Sequence, residues 1–322
     1  MIKYLYKYMP FREEFFDNFL LRATPVYDLN DPFEGAVTFD HIKEENDILN
    51  KFFNITEEQS YLLDDFLGST QMDLHDFGII SLTEDPLNPI MWSHYADNHK
   101  GLVIQLDVTN SFFDGANGNI KFKEDIFGLV SDIPKSVRYS RHRKLFLFPE
   151  EIYPNKNKKY EFPHKKLYQH LMYTKSNDWM YEKEYRTIVE LKNADVILVD
   201  SDKSITEYCT KQHIKFEAIE NTSRIKIVYD RNFELDEECG DECIRDELYR
   251  LTMYNDPIYL FKINPYSIKR IIFGCNTLEE NINKVTNKNI KFDCYKTYIL
   301  DDRFELGFKQ IDNKFVERNK KP

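Results

Sequence analysis

The chain has 322 residues, 42% of them hydrophobic and 15% aromatic, which supplies area for a substantial core and excludes general disorder. A formal net charge of −11 disfavours a general nucleic-acid coat, and ten glycines argue against a glycine-fingerprint cofactor fold. Five scattered cysteines (209, 239, 243, 275 and 294) suit a reducing compartment, and no run approaches the roughly 20 apolar residues of a membrane span, so the expected location is cytoplasmic with no membrane partner.

In chain order, Ile2 to Tyr8 reads as a strand stopped by Met9-Pro10, without the apolar core of a signal peptide. A short helix over Phe11 to Phe19 leads to an extended Leu20 to Thr24, and Asn30-Asp31-Pro32 signals a turn. Helices are expected over His41 to Phe53 and Glu57 to Leu67, the second opened by a Thr56/Gln59 capping box. Gly78 to Leu82 reads as a buried strand, Leu87 to Tyr95 as a short helix and Leu102 to Leu106 as a strand, followed by an irregular polar stretch from 108 to 160. A helix over Pro163 to Tyr173 precedes a strand over Tyr185 to Leu191. Further strands fit Ile225 to Tyr229, Ile258 to Ile263, Ile268 to Phe273 and Ile290 to Tyr298, with Thr277 and Glu280 capping a helix between the last two. The pattern predicts an α+β fold, with a mixed, mainly antiparallel sheet core and a helical insert at about 41–76. Residues 1–200 would carry the motifs, 201–312 would complete the same domain or form a small subdomain, and 313–322 would fray.

Three polar-aromatic motifs are expected to line one site. Asn30-Asp31-Pro32-Phe33-Glu34 is a tight turn in its plainest reading and a site-bearing loop in the other, presenting Asn30, Asp31 and Glu34. Met91-Trp92-Ser93-His94-Tyr95 puts Trp92 and Tyr95 on one helix face, with His94 beside it; such aromatics are commonly core. Trp179-x-Tyr181-Glu182-Lys183-Glu184-Tyr185-Arg186 is either a solvated lead-in to a strand or an acidic pair, in which Arg186 can hold Glu184 by a two-pronged contact. A competing motif is Ile188-Val189-Glu190-Leu191-Lys192. It has the form seen in metal-dependent nucleases, with Asp178 as a candidate partner, but an amphipathic edge strand has the same pattern. The basic residues between Lys135 and Lys166 offer a candidate nucleic-acid contact, although most such stretches are solvated faces; Cys239 and Cys243 lack the second pair a zinc site needs.

These blocks in this order resemble the bacterial family catalogued as domain of unknown function 2971. The resemblance runs from Leu5-Tyr6-Lys7-Tyr8 through Asn30 to Glu34, Ile80 to Glu84, Met91 to Ala96, His99-Lys100-Gly101, Val137-x-Tyr139 and Lys175 to the Trp179 to Arg186 block, with an echo at Ile271 to Gly274. A second resemblance is to the ADP-ribosyltransferase superfamily. It implies nicotinamide adenine dinucleotide (NAD) as substrate, a protein or nucleic-acid acceptor and a fold like that superfamily's. Lys7 or Tyr8 would hold ribose or phosphate, with Arg186 among the cofactor-binding residues. Ser81 and Thr83 would stand for the serine-rich strand, and Trp92 or Tyr95 would stack on nicotinamide. Glu184 would stabilise an oxocarbenium-like transition state while Glu182 orients or deprotonates the acceptor; His94 completes the candidate catalytic set and Trp179 borders the site. Lys7 stands where that superfamily ends its first strand with arginine or histidine. The alternatives are the metal nuclease, using Glu190 and Lys192, and a non-catalytic ligand-binding or interaction module.

Overall fold

The computed structural model describes residues 2–34, 61–114, 128–143, 164–229, 241–288 and 292–311. Its strands are β1 (Tyr4–Met9), β2 (Leu20–Pro25), β3 (Phe77–Thr83), β4 (Leu102–Asp107), β5 (Lys135–Ser136), β6 (Arg138–Ser140), β7 (Thr174–Ser176), β8 (Glu184–Glu190), β9 (Val196–Asp200), β10 (Lys215–Ala218), β11 (Arg224–Val228), β12 (Ile258–Lys262), β13 (Ile268–Phe273), β14 (Asp293–Ile299) and β15 (Leu306–Gln310). Its α-helices are α1 (Phe15–Asn18), α2 (Tyr61–His75), α3 (Pro89–Tyr95), α4 (His164–Tyr173), α5 (Lys203–Lys211), α6 (Asp241–Thr252) and α7 (Glu279–Thr286).

Among the described residues, thirteen strands form one sheet along β10-β11-β9-β12-β2-β3-β1-β4-β13-β14-β15, with β8 on β3 and β5 on β8. Within it only β13 and β14 run parallel; β6 and β7 form a separate parallel pair. The α+β fold with a mixed, mainly antiparallel sheet is therefore as expected.

The site is positioned by a break in this sheet. Strand β3 pairs with β8 along all seven residues, Phe77↔Glu190 to Thr83↔Glu184. Its other edge is shared: β2 pairs there only at Thr24↔Ile79 and Pro25↔Gly78, and β1 only at Tyr6↔Thr83. Strand β1 spends its full length on β4, and β2 pairs from Leu20 to Ala23 with β12. The edge of β3 between these contacts thus faces a notch.

Alternation along the strands distributes the core. Leu5, Leu21, Ile80, Leu82, Ile104, Val189 and Ile271 belong to one large cluster. The alternate positions make two smaller ones. Ile79 and Ile188 pack with Leu74 of α2 and with Leu167 and Met172 of α4, whereas Tyr8, Val103 and Ile272 pack with Met91 and Trp92 of α3.

Helix α3 starts as its sequence dictates. The Asn88 side chain accepts from the backbone N–H groups of Ile90 (2.9 Å) and Met91 (3.3 Å), and Pro89 occupies the first turn. It ends in three successive residues of left-handed backbone, Asp97, Asn98 and His99 (φ 46°, 52° and 66°). That turn lies so close to the end of β13 that a Cβ on Gly274 would sit 1.9 Å from the His99 carbonyl oxygen. Gly274→Ala is expected to lower stability by about 1–3 kcal/mol through this overlap; an unchanged denaturation midpoint would show that the turn can move away.

Several sequence expectations need correction. Thr277 does not cap α7: its hydroxyl donates to the carbonyls of Lys100 and Gly101, and Leu278 stands at the helix start with no side-chain cap. Helix α6, which starts at Asp241 and carries Cys243, was not foreseen; it buries Ile244, Leu248 and Tyr249. Strands β9, β10 and β15 and helix α5 were not foreseen. The helix over His41 to Phe53, the Thr56/Gln59 capping box, Cys239 and the frayed tail lie outside the described residues. No helix among the described residues is long and apolar enough to cross a membrane.

Candidate active site

On the face carrying Ile79 and Ile188, the same parity continues into polar residues. Ile79, Ser81 and Thr83 follow one another on β3, opposite Ile188, Arg186 and Glu184 on β8. The apolar half packs under α2 and α4; the polar half faces the gap before the Trp92 cluster. A cavity of about 210 Å³ lies there, lined by Lys7, Tyr8, Ser81, Thr83, Tyr95, Glu182 and Glu184 among others. Asn30 and Glu34 bring the first motif to the same space, and Lys175, Arg22, Asp28 and Tyr6 complete much of the remaining wall.

The acidic pair is buried rather than solvated. Lys183, with left-handed backbone (φ 45°), turns the chain from the 3-10 turn Asn177–Glu182 into β8. It lies outside, paired with Asp85 at 3.1 Å, while Glu182 and Glu184 are 3% and 4% exposed. Arg186 donates from Nε to Glu184 Oε1 and from Nη2 to Glu184 Oε2, both at 2.9 Å, the two-pronged contact expected from their spacing. It also donates to Glu34 and, from Nη1, to the Met172 carbonyl (2.7 Å). Lys175 is a second hub, 2.7 Å from Glu182, 3.2 Å from Glu184 and 3.6 Å from Glu34. Tyr95, the last residue of α3, donates to Glu182 Oε1 at 2.6 Å. The backbone N–H of Glu184 donates to the Tyr139 hydroxyl at 2.7 Å.

The electrostatics follow from this packing. Burial opposes ionisation of Glu184, but Arg186, and then Lys175, outweigh it and hold the carboxyl down at about 2. Burial raises Glu34 despite the same two cations. Burial likewise pushes the Tyr139 hydroxyl up to about 12. Lys7 shares strand parity with Leu5 and Met9, yet its ammonium donates to the Ser81 carbonyl across the notch (3.0 Å). Burial lowers it to about 8; Glu184 opposes that shift, while Arg22 and Arg12 add to it.

The contacts that each carboxylate and hydroxyl already makes leave different capacities for a ligand. Both Glu184 oxygens are occupied by cations, so Glu184 is a fixed, ionised charge. Glu182 receives one bond on each oxygen, from Tyr95 and from Lys175, and retains acceptor capacity. Thr83 spends its hydroxyl proton on the Glu182 carbonyl (2.6 Å), and Tyr8 donates to the Asp85 carbonyl (2.8 Å).

Not every sequence candidate reaches the cavity. Trp92 is fully buried, with its indole N–H on the Pro86 carbonyl (3.0 Å) and its ring between Tyr8 and His99; it is therefore core rather than a nicotinamide platform. His94 is exposed on α3 and does not line the cavity. Asp31 is buried, with Oδ1 accepting from the Phe33 N–H (2.9 Å), so it shapes the loop. Trp179 lies under Lys175, whose ammonium is 4.8 Å from the ring centroid. Of the nuclease pair, Glu190 accepts from the Asn193 side chain (2.9 Å) and Lys192 pairs with Asp246 of α6 (2.9 Å). Neither lines the cavity, and Asp178 is bonded to Ser176. Among the described residues no group of three or more His, Cys, Asp or Glu could hold a metal ion.

Sequence reasoning passed over Lys175, Tyr139 and Arg22 as site residues. Lys175 and Tyr139 stood within the family-like blocks, so their order was a usable signal; nothing local marked Arg22.

Residues 91–187 match a family model, DUF2971, described as a protein of unknown function. The DUF2971 segment holds Tyr95, Lys175, Glu182 and Glu184 of the cavity wall, together with Tyr139 and Arg186, which bond Glu184. Lys7, Arg22, Glu34 and Ser81 lie outside it. No curated protein and no solved structure matches the chain, so the ADP-ribosyltransferase resemblance rests on its residues alone.

Proposed function

We propose that the cavity binds NAD and cleaves its nicotinamide–ribose bond, passing the ADP-ribosyl group to water or to a protein or nucleic-acid acceptor. The observation that carries this reading is the convergence of Lys7, Ser81, Tyr95 and Glu184 on one open cavity. Four residues from β1, β3, α3 and β8 share no local reason to meet.

The chemistry is dissociative. As the bond from ribose C1′ to the ring nitrogen breaks, its electron pair leaves with neutral nicotinamide and positive charge develops on the ribose. Three carboxylates, Glu34, Glu182 and Glu184, face this space against two hub cations, Lys175 and Arg186. A developing cation would meet carboxylates held at fixed positions, which requires no reorganisation during the reaction. Glu182, with spare acceptor capacity, takes the proton of the attacking hydroxyl or water. The cavity of about 210 Å³ is below the roughly 300 Å³ at which sites for drug-sized ligands begin, so it would hold only part of the dinucleotide.

The test is to incubate the protein with NAD, with and without a cell lysate as acceptor source, and follow free nicotinamide and label transfer. Release above the spontaneous rate that falls in Glu182→Gln is expected. A folded wild type that releases no nicotinamide under either condition overturns the reading. The saturation of Glu184 by cations also suits a non-catalytic ligand site, and NAD binding without turnover in the same experiment would select it.

A further inference from the structure

We infer that Arg22, with Lys7, forms an oxyanion subsite at the notch, taking a phosphate group of the ligand whose sugar faces Glu182. This rests on the cavity of the preceding reading but not on its bond cleavage. Arg22 stands on β2 and Lys7 on β1, the two strands that diverge from β3, and both line the cavity.

Two observations point to an anion. The Arg22 Nε is buried, without a hydrogen-bond partner among the described residues, while Nη2 is held by Asp28 at 2.9 Å. A buried donor left unmatched is costly, and a guanidinium presents its donors in a planar fork suited to an oxyanion. Lys7 uses one of its three N–H groups on the Ser81 carbonyl (3.0 Å) and retains two. Moreover, Arg22 and Lys7 are close enough to repel, because the Arg22 charge helps lower the Lys7 ammonium's affinity for its proton. A shared anion converts that repulsion into two attractions.

The surrounding acids do not cancel the site. Glu184 and Glu34 are committed to Arg186 and Lys175, and Glu182 carries one bond on each oxygen, from Tyr95 and Lys175. Asp28 is the direct competitor. Its pair with Arg22 is partly exposed on both sides (37% and 40%), a setting where ion pairs contribute little and can be displaced. The geometry therefore separates two walls: donors from β1 and β2 for phosphate, and acceptors from Glu182 for ribose hydroxyls.

The experiment titrates the full chain with inorganic pyrophosphate and, separately, with ADP-ribose, by calorimetry at fixed low ionic strength. Wild-type protein is expected to bind both, with affinity for pyrophosphate falling about tenfold or more in Arg22→Gln and in Lys7→Met. Asp28→Asn is expected to tighten pyrophosphate binding, which a merely damaged fold would not do. Glu182→Gln should weaken ADP-ribose while leaving pyrophosphate unchanged, separating the sugar wall from the phosphate wall. The inference is overturned by a wild type that binds neither probe, by Arg22→Gln and Lys7→Met that bind pyrophosphate as tightly as wild type, or by Asp28→Asn that fails to tighten it. Failure of NAD cleavage with pyrophosphate binding intact would sink only the preceding reading.

Discussion

Arg186→Met is expected to destabilise the protein by about 3–5 kcal/mol, the range seen when one partner of a buried ion pair is removed. Arg186 is 1% exposed and ties together Glu184, Glu34 and the Met172 carbonyl. Methionine fills much of the same volume but leaves Glu34, Glu182 and Glu184 around Lys175 alone. The deficit should depend on pH with a definite sign. Folding depresses Glu184 from 4.5 to about 2, so its stabilising contribution is full above about 4.5 and lost as pH falls towards 2. Removing Arg186 removes the first cause of that depression. The variant should therefore lag wild type most at neutral pH and draw closer to it as acid protonates the uncompensated buried carboxylates. Urea midpoints at pH 7 and pH 4 check this, and a deficit that grew on acidification would contradict the charge balance described for the site.

Glu184→Gln is expected to cut nicotinamide release about 10²–10³-fold, the size of loss found when one preorganised electrostatic group is removed from an active site. Glutamine keeps the shape and can still accept from Arg186, but it deletes the one carboxylate held ionised by two cations. The loss should fall on turnover more than on substrate affinity, because the charge matters most when the ribose becomes positive. Glu182→Gln should behave differently, with transfer to acceptor falling more than nicotinamide release, since the proposed role of Glu182 is to take the acceptor proton. Circular dichroism and ADP-ribose binding on the same samples separate this from unfolding. A folded Glu184→Gln releasing nicotinamide at the wild-type rate would remove Glu184 from the chemistry.

Much of the site was legible because strand alternation is local. The two-residue spacing of Ser81 and Thr83, and of Glu184 and Arg186, already placed each pair on one side of its strand. Turn chemistry marked Asn30 to Phe33, and the short helix read over Leu87 to Tyr95 is the one that delivers Tyr95. Helix α6 had a readable stripe in Ile244, Leu248 and Tyr249, but the acidic residues around it hid the period. Strand β9 escaped because its apolar run follows β8 after only a short 3-10 turn at Leu191–Asn193.

The sequence by itself therefore determined the three motifs, the α+β class and the Glu184–Arg186 clasp, since each depends on neighbours two to four residues apart. Only the tertiary structure decided that Trp92 is core, that Lys175 joins three carboxylates, and that Arg22 and Lys7 line one cavity. Those facts depend on where β1 and β2 leave β3 for β4 and β12. That choice is set by long-range strand pairing and core packing, and no local pattern in a single chain carries it.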